Sequence, residues 1–305
     1  MKLYSSLQDA ADGSLKGCAI CLGNFDGVHL GHQAVLRQAR ALADARGLRC
    51  VVLTFDPHPS EVLGRGAPPL LTTLARRIEL LRTHGATDVA VEPFTIELSS
   101  WSPERFAREL LADRLGSRVV VVGSNFRFGS KRAGDFDTLT ALGASCGFEA
   151  VAAEIAGDDE GPFSSTRVRD AIAAGEVERA ARVLGRPHAL SGVVEHGDAR
   201  GRTIGFPTAN LGGVAEMLPS YGVYAVRVVR GSETHGGVMN VGVRPTVDGL
   251  SLRIEAHLFD FDADLYSASL RVDLVARLRG EQKFSGVAEL KAQIAKDAEA
   301  ARKAL

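Results

Sequence analysis

Two histidines three residues apart, a hydroxyl-rich helix start beside arginines, and a single strand glutamate are residues of this chain whose types and spacing could do chemistry. The densest signal is GNFDGVHLGH, Gly23 to His32, lying after an apolar run that reads as a strand and before an amphipathic stretch that reads as a helix. Open α/β sheets place ligands at such junctions. Glycines 23, 27 and 31 let the backbone turn and approach a ligand closely, and the following helix presents free N–H groups and its positive dipole end. Gly23, Asn24, Phe25, Asp26 and Gly31 therefore form a candidate nucleotide-binding loop, and a nucleoside triphosphate fits it. His29 and His32 fall on one side of a helical first turn, where two imidazoles can grip one phosphate chain. The competing readings are ordinary hydrogen-bonded histidines or a zinc pair, for which no third ligand stands at a fitting spacing. G-x-G-x-x-G and G-K-[ST] are absent, which disfavours hydride transfer and P-loop hydrolysis.

Further along, FSSTRVRD carries Ser164, Ser165 and Thr166 at the start of an apolar-periodic helix. Capping alone would justify these hydroxyls; Arg167 and Arg169 beside them make a second anion site, suited to charge on a departing pyrophosphate. TFDPHP and VVGSNFRFG each follow a strand, so Asp56, His58, Asn125 and Phe128 are expected at the same crevice, making nucleotide and ring contacts. Trp101 reads as packing.

In the second half, HGDARGRTIGFPTANL joins glycines and basic residues to a Pro-Thr-Ala-Asn turn. Gly201, Arg202, Gly205 and Thr208 are the candidate phosphate-wrapping residues, and Thr208 and Asn210 offer hard oxygens suited to Mg²⁺ or its waters. A long hairpin with Gly-Pro turns is the plainer reading. Glu255 alternates with Ile254 and Ala256 in RIEAHLFD; beside a nucleotide it would accept a hydroxyl proton, and otherwise it is a solvated strand residue.

The elements that must position these groups divide in two. A length of 305 residues favours two domains. Up to residue 185, short β-branched runs at Ala19–Leu22, Cys50–Phe55, Asp88–Val91, Arg118–Val122 and Glu149–Ala153 alternate with helical stretches near Gln33–Ala45, Ala75–Thr83, Pro103–Leu115 and Phe136–Ser145. That is the pattern of a helix-covered parallel sheet. One or two short helices are expected over Ala171–Leu184. After GRPHALSG, residues 186–305 show short alternating runs with Gly, Pro and Asp punctuation, predicting a small antiparallel barrel. A last helix is expected to pack on it through Val287, Leu290 and Ile294.

Lys plus Arg total 36 against 37 for Asp plus Glu, a balance that argues against a general nucleic-acid binder. No apolar run approaches the roughly 20 residues of a membrane span, and MKLYSSLQDAADG lacks a signal peptide's apolar core, so a cytoplasmic protein with no membrane partner is expected. Cys18 and Cys21 form a C-x-x-C inside an expected strand, where residues three apart face opposite ways; buried reduced thiols are expected there, not zinc or a redox pair.

HLGH with SSTRVR resembles the nucleotidylyltransferase superfamily, and GNFDGVHLGH, TFDPHP, VVGSNFRFG and SSTRVR in order resemble the bacterial bifunctional riboflavin kinase/FAD synthetases. The second half is similar to their riboflavin kinase module through GRTIGFPTANL, GVYAV, MNVGVRPT, IEAHLFDFDADLY and EQKF. The resemblance implies an α/β nucleotidylyltransferase (Rossmann-like) parallel-sheet domain followed by a small antiparallel β-barrel domain with a C-terminal helix. It implies phosphorylation of riboflavin to FMN by residues 186–305 and adenylylation of FMN to FAD by residues 1–185, with ATP and Mg²⁺. By the same resemblance Asp56, His58, Asn125 and Phe128 are flavin contacts, Thr208 and Asn210 fall on the metal–nucleotide motif, and Glu255 is the catalytic carboxylate. A homo-oligomer is possible. The chain has Ser267 where relatives commonly carry Gly after Leu-Tyr, and Val247 where an aromatic usually follows Arg-Pro-Thr. Open alternatives are a nucleotidylyltransferase of another specificity with a flavin-regulated barrel, and a flavin-storing protein without turnover.

Overall fold

The computed structural model describes residues 2–7, 13, 15–196, 205–246 and 249–305, with side chains left out for 244–246 and 249–250. The chain forms two compact units, one of Met1–Pro68 with Thr72–Ser164, the other of Pro69–Leu71 with Ser165–Leu305.

In the first unit, β1 (Leu3–Tyr4), β2 (Cys18–Leu22), β3 (Arg49–Asp56), β4 (Asp88–Pro93), β5 (Val119–Gly123) and β6 (Glu149–Ala153) make a six-stranded sheet in the order β1-β4-β3-β2-β5-β6, with every pairing parallel. The central strands are apolar along most of their length because helices cover both faces, and β2 is buried at all five positions. The unit's α-helices are α1 (Leu30–Ala45), α2 (Pro59–Val62), α3 (Leu74–Thr83), α4 (Ile96–Ser99), α5 (Pro103–Arg105) and α6 (Phe136–Cys146), of which α1, α3 and α6 pack on the strands. Pro103–Leu115, expected as one helix, is a short α-helical turn followed by π-helix over Phe106–Arg114. The two-residue β1 lay below the reach of any periodicity; it exists through its pairing with β4. Cys18 and Cys21 enter separate cores on opposite sheet faces, and burial pushes the Cys18 thiol up to about 12 and Cys21 well above its ordinary value. Trp101 is buried, with the Arg105 guanidinium 4.1 Å from its ring centroid. A two-stranded ribbon, β7 (Gly157–Asp158) and β8 (Gly161–Pro162), follows β6.

The second unit opens with α7 (Ser165–Ala174) and α8 (Val177–Leu184). A closed barrel follows in the order β10-β13-β12-β11-β14-β9, from β9 (His188–Glu195), β10 (Ala209–Gly212), β11 (Gly222–Arg230), β12 (Glu233–Thr246), β13 (Gly249–Leu258) and β14 (Ser269–Arg279). Leu190, Leu211, Val226, Met239, Ile254 and Leu274 fill its interior. Helix α9 (Val287–Ala304) packs on β11, β12 and β14; of the expected residues Leu290 and Ile294 are half-buried and Val287 is 59% exposed, while Asp297 and Ala301 are buried. Asp297 accepts hydrogen bonds from Arg279 at 2.8–3.1 Å and from Gln293 at 2.8 Å, and Ala298, Ala301 and Leu305 pack with Ala225 and Phe259, so an ion pair and a small apolar cluster together anchor this helix.

Candidate active sites

The sheet order reverses at β2, which has β3 on one side and β5 on the other, so the loop leaving β2 opens onto the crevice at this switch point. Its backbone is unusual. Phe25 (φ 53°) and Val28 (φ 41°) both sit in the left-handed region, a strained place for a β-branched residue and a frequent mark of functional loops. Buried contacts hold it there. Asp26 accepts from the Thr72 N–H and hydroxyl, both 3.1 Å, and Thr72 Oγ1 accepts from the Gly27 N–H at 3.1 Å. Asp26 thus clamps the loop from within, and Phe25, 1% exposed, lies beneath His32 with ring centroids 5.1 Å apart. Both are expected at the nucleotide, and both side chains support the loop from within. Gly23 packs on the Phe25 ring, which a Cβ would approach to 3.3 Å.

His29 caps α1: its Nδ1 accepts from the His32 N–H at 3.3 Å, which leaves the ring proton on Nε2. The His29 and His32 rings stack with centroids 3.7 Å apart, as the one-sided spacing requires. His32 Nδ1 is buried without a partner, and burial, followed by the neighbouring His29 and Arg77 charges, pushes this imidazole well below its ordinary value, so it is neutral at pH 7. Gly31 has no room for a side chain: a Cβ would come within 3.0 Å of the His29 ring and 3.1 Å of the Phe163 carbonyl. Beyond β3, His58 caps α2 through Nδ1 and stands with Nε2 3.4 Å from the Asn24 amide, while Asp56 is exposed at the strand end. Asn125 is exposed past β5. Phe128 is a core residue between Phe106 and Phe126, each 5.6 Å away, and the half-buried Phe126 is the more accessible ring of this stack. Ser164 closes the first unit; Ser165, Thr166 and Arg169 belong to the second, where the Arg169 Nε–H donates to the Pro69 carbonyl at 2.8 Å.

On the barrel, strand register does the assembling. Asn210 pairs with Glu255 across β10 and β13, and Glu255 pairs with Asn240 across β13 and β12. Ala209, Met239, Val241, Ile254 and Ala256 fill the interior, so alternation turns Asn210, Glu255 and Asn240 outward in one row. Asn210 Oδ1 is buried and lacks a partner. The His257 Nδ1–H donates to the Pro207 carbonyl at 2.7 Å, with Phe206 edge-on to the same ring, fastening the turn that carries exposed Thr208 to the strand of Glu255. Gly242 leaves space over which the Glu281 carboxylate lies; a Cβ there would stand 2.2 Å from its Oε1 and 3.5 Å from Asn240 Nδ2. Asn240, His257 and Glu281 went unassigned in the sequence, although alternation in Met239-Asn240-Val241 marks Asn240 as outward. Gly205 takes φ 89°; Gly201, Arg202 and Val247 lie outside the described residues. Ser267 occupies φ 62°, the left-handed region that favours glycine, the residue expected here from the family resemblance.

Residues 12–167 match the FAD synthetase family and residues 184–305 the riboflavin kinase family. The bifunctional riboflavin kinase/FMN adenylyltransferase of Escherichia coli K12 is 39% identical over 304 residues, covering 99% of this chain and 97% of that protein. The Bacillus subtilis 168 protein of the same description is 39% identical over 285 residues, covering 91% and 89%. A crystal structure from Streptococcus pneumoniae described as a macrolide-efflux protein superposes with a TM-score of 0.90 at 31% identity, covering 99% and 98%. Among the described residues no helix is long and apolar enough to cross a membrane. With two family domains in order and relatives matched along almost the whole length, the chain belongs to the bifunctional riboflavin kinase/FMN adenylyltransferases, which use ATP to convert riboflavin to FMN and FMN to FAD.

Proposed function

We propose that residues 186–305 run the kinase reaction around Glu255 and that residues 1–185 run adenylyl transfer around His29 and His32. The row of Asn210, Glu255 and Asn240 carries the first assignment. Glu255 accepts the proton of the terminal ribityl hydroxyl as that oxygen attacks the γ-phosphorus of ATP; FMN forms and ADP leaves. Mg²⁺ suits the donors here, since Asn210 Oδ1 is a buried oxygen awaiting a partner and amide, hydroxyl and carboxylate oxygens are hard ligands. Thr208 and Asn210 would hold it, and it supplies charge neutralisation on the phosphates when bound. Gly201, Arg202 and Gly205 are assigned to the phosphate chain.

For the second reaction the FMN phosphate is itself the nucleophile. It attacks the α-phosphorus of ATP in line, and pyrophosphate leaves. His29 and His32, with Asn24 and the backbone at Gly23 and Gly31, position the triphosphate, and the neutral His32 imidazole donates a hydrogen bond to charge that builds up there. The Ser164–Thr166 turn and Arg169 take the charge of the departing pyrophosphate; Asp56, His58, Asn125 and the Phe126–Phe128 stack receive the flavin. Both reactions are assigned to the cytoplasm.

The test is a flavin chromatogram over time with riboflavin, ATP and Mg²⁺. His32→Ala should accumulate FMN without FAD, and Glu255→Gln should make FAD only from added FMN. Loss of both reactions from either substitution in a folded protein would sink the two-site assignment.

A further inference from the structure

Helix α3 buries Arg77, Leu80 and Leu81 on one face, so a guanidinium stands where amphipathic periodicity calls for an apolar side chain. Arg77 is 3% exposed. Its Nη1–H donates to the Phe55 carbonyl at 3.4 Å, at the C-terminal end of β3, while Nε is buried without a hydrogen-bond partner. A buried charge is costly unless opposite charges offset it, and Asp26 and Asp56 act on this one. Asp26 lies in the loop after β2 and Asp56 ends β3. The same helix is tied to that loop at its start, where Thr72 donates twice to Asp26 and Thr73 caps the first turn through the Arg76 N–H.

We propose that Arg77 is a positioning residue for adenylyl transfer, a buried guanidinium that locks the glycine loop carrying His29 and His32 to the end of β3 carrying Asp56 and His58. A structural arginine at the surface would need neither carboxylate. This one donates to the end of β3 from a helix whose start is tied to the glycine loop through Thr72 and Asp26. Its positive field also falls on His32, where with His29 it favours the neutral imidazole. Phe25, the third ring around His32, is apolar. The inference rests on the assignment of adenylyl transfer to His29 and His32.

Arg77→Gln and Arg77→Lys test it in the full chain, with limited proteolysis of the first unit as the measure of folding, riboflavin phosphorylation as the internal standard of active protein, and His32→Ala run alongside. Misplacing reactive groups by about 1 Å costs about 100-fold, so Arg77→Gln should lower kcat for FMN adenylylation about 100-fold, with KM for ATP and FMN within about threefold. Arg77→Lys keeps the charge but loses the fork and should lower kcat about tenfold at unchanged KM. Wild-type kcat in either variant, or a loss confined to KM, overturns the proposal. If Arg77→Gln leaves the first unit unfolded by limited proteolysis, Arg77→Lys decides alone. Full adenylylation by His32→Ala would instead overturn the site assignment beneath it, whereas an inactive His32→Ala beside fully active Arg77 variants overturns only the role of Arg77.

Discussion

The two units build phosphate chemistry in opposite ways. In the parallel sheet the candidate groups lie beyond the strand ends, on a loop whose strained backbone is held by buried side chains, polar and apolar: Asp26 on Thr72, Phe25 under His32. In the barrel they lie on the strands themselves, where Asn210, Glu255 and Asn240 share one outward row. A loop site needs a clamp because nothing in a parallel ladder fixes residues past its end. A strand site needs only register, since pairing with neighbours sets each side chain's face and position. Perturbation of the first site should therefore travel through supports, and of the second through the row.

The sharpest break of this comparison is the crossed pair of substitutions. Removal of a general base lowers rates by about 10²–10⁴-fold, so Glu255→Gln should cost phosphorylation that much and spare adenylylation of added FMN. His32→Ala should cost adenylylation about 10²–10³-fold, on the scale of one lost charge-stabilising donor, and spare phosphorylation. Within the row, Asn240→Ala should slow phosphorylation about tenfold, the size of one hydrogen bond of 1–1.5 kcal/mol. An unaffected rate would take Asn240 out of the kinase site and leave the register without consequence there.

A smaller effect separates the units by pH. The folded state depresses His32 below its ordinary value of 6.5, so it contributes stability above that value, lost as pH falls from 6.5 towards the folded pKa. Denaturant unfolding of the first unit should show a larger loss between pH 7 and pH 5 in the wild type than in His32→Gln; parallel slopes would deny the burial of His32. The least effect belongs to the barrel. Ser267→Gly relieves a left-handed residue that costs about 1–2 kcal/mol and surrenders part of that to chain entropy, so thermal unfolding should show a gain of about 0.5–1 kcal/mol.

Much of this was legible beforehand where information is local. The central strands of the sheet, the helices between them and most barrel strands declare themselves through apolar period, and the glycine loop through its spacing. Less was legible where a residue's surroundings depend on distant partners. Phe25, Asp26 and Phe128 are expected at the ligands from their motifs, and only the fold shows that their side chains are buried and support the segments that carry them. Val287 has helical spacing and faces outward, whereas charged Asp297 faces inward because Arg279 awaits it.

What the sequence determined by itself is therefore the set of elements, the chemistry of the motifs and the family, all carried by residue type and near spacing. Tertiary structure alone decided that Asn240 joins Glu255, that His257 fastens the Pro207 turn, and that Arg77 is a buried cation donating to the Phe55 carbonyl. Those facts depend on strand register and helix docking, which pair residues far apart along the chain and are set by the packing of the whole unit.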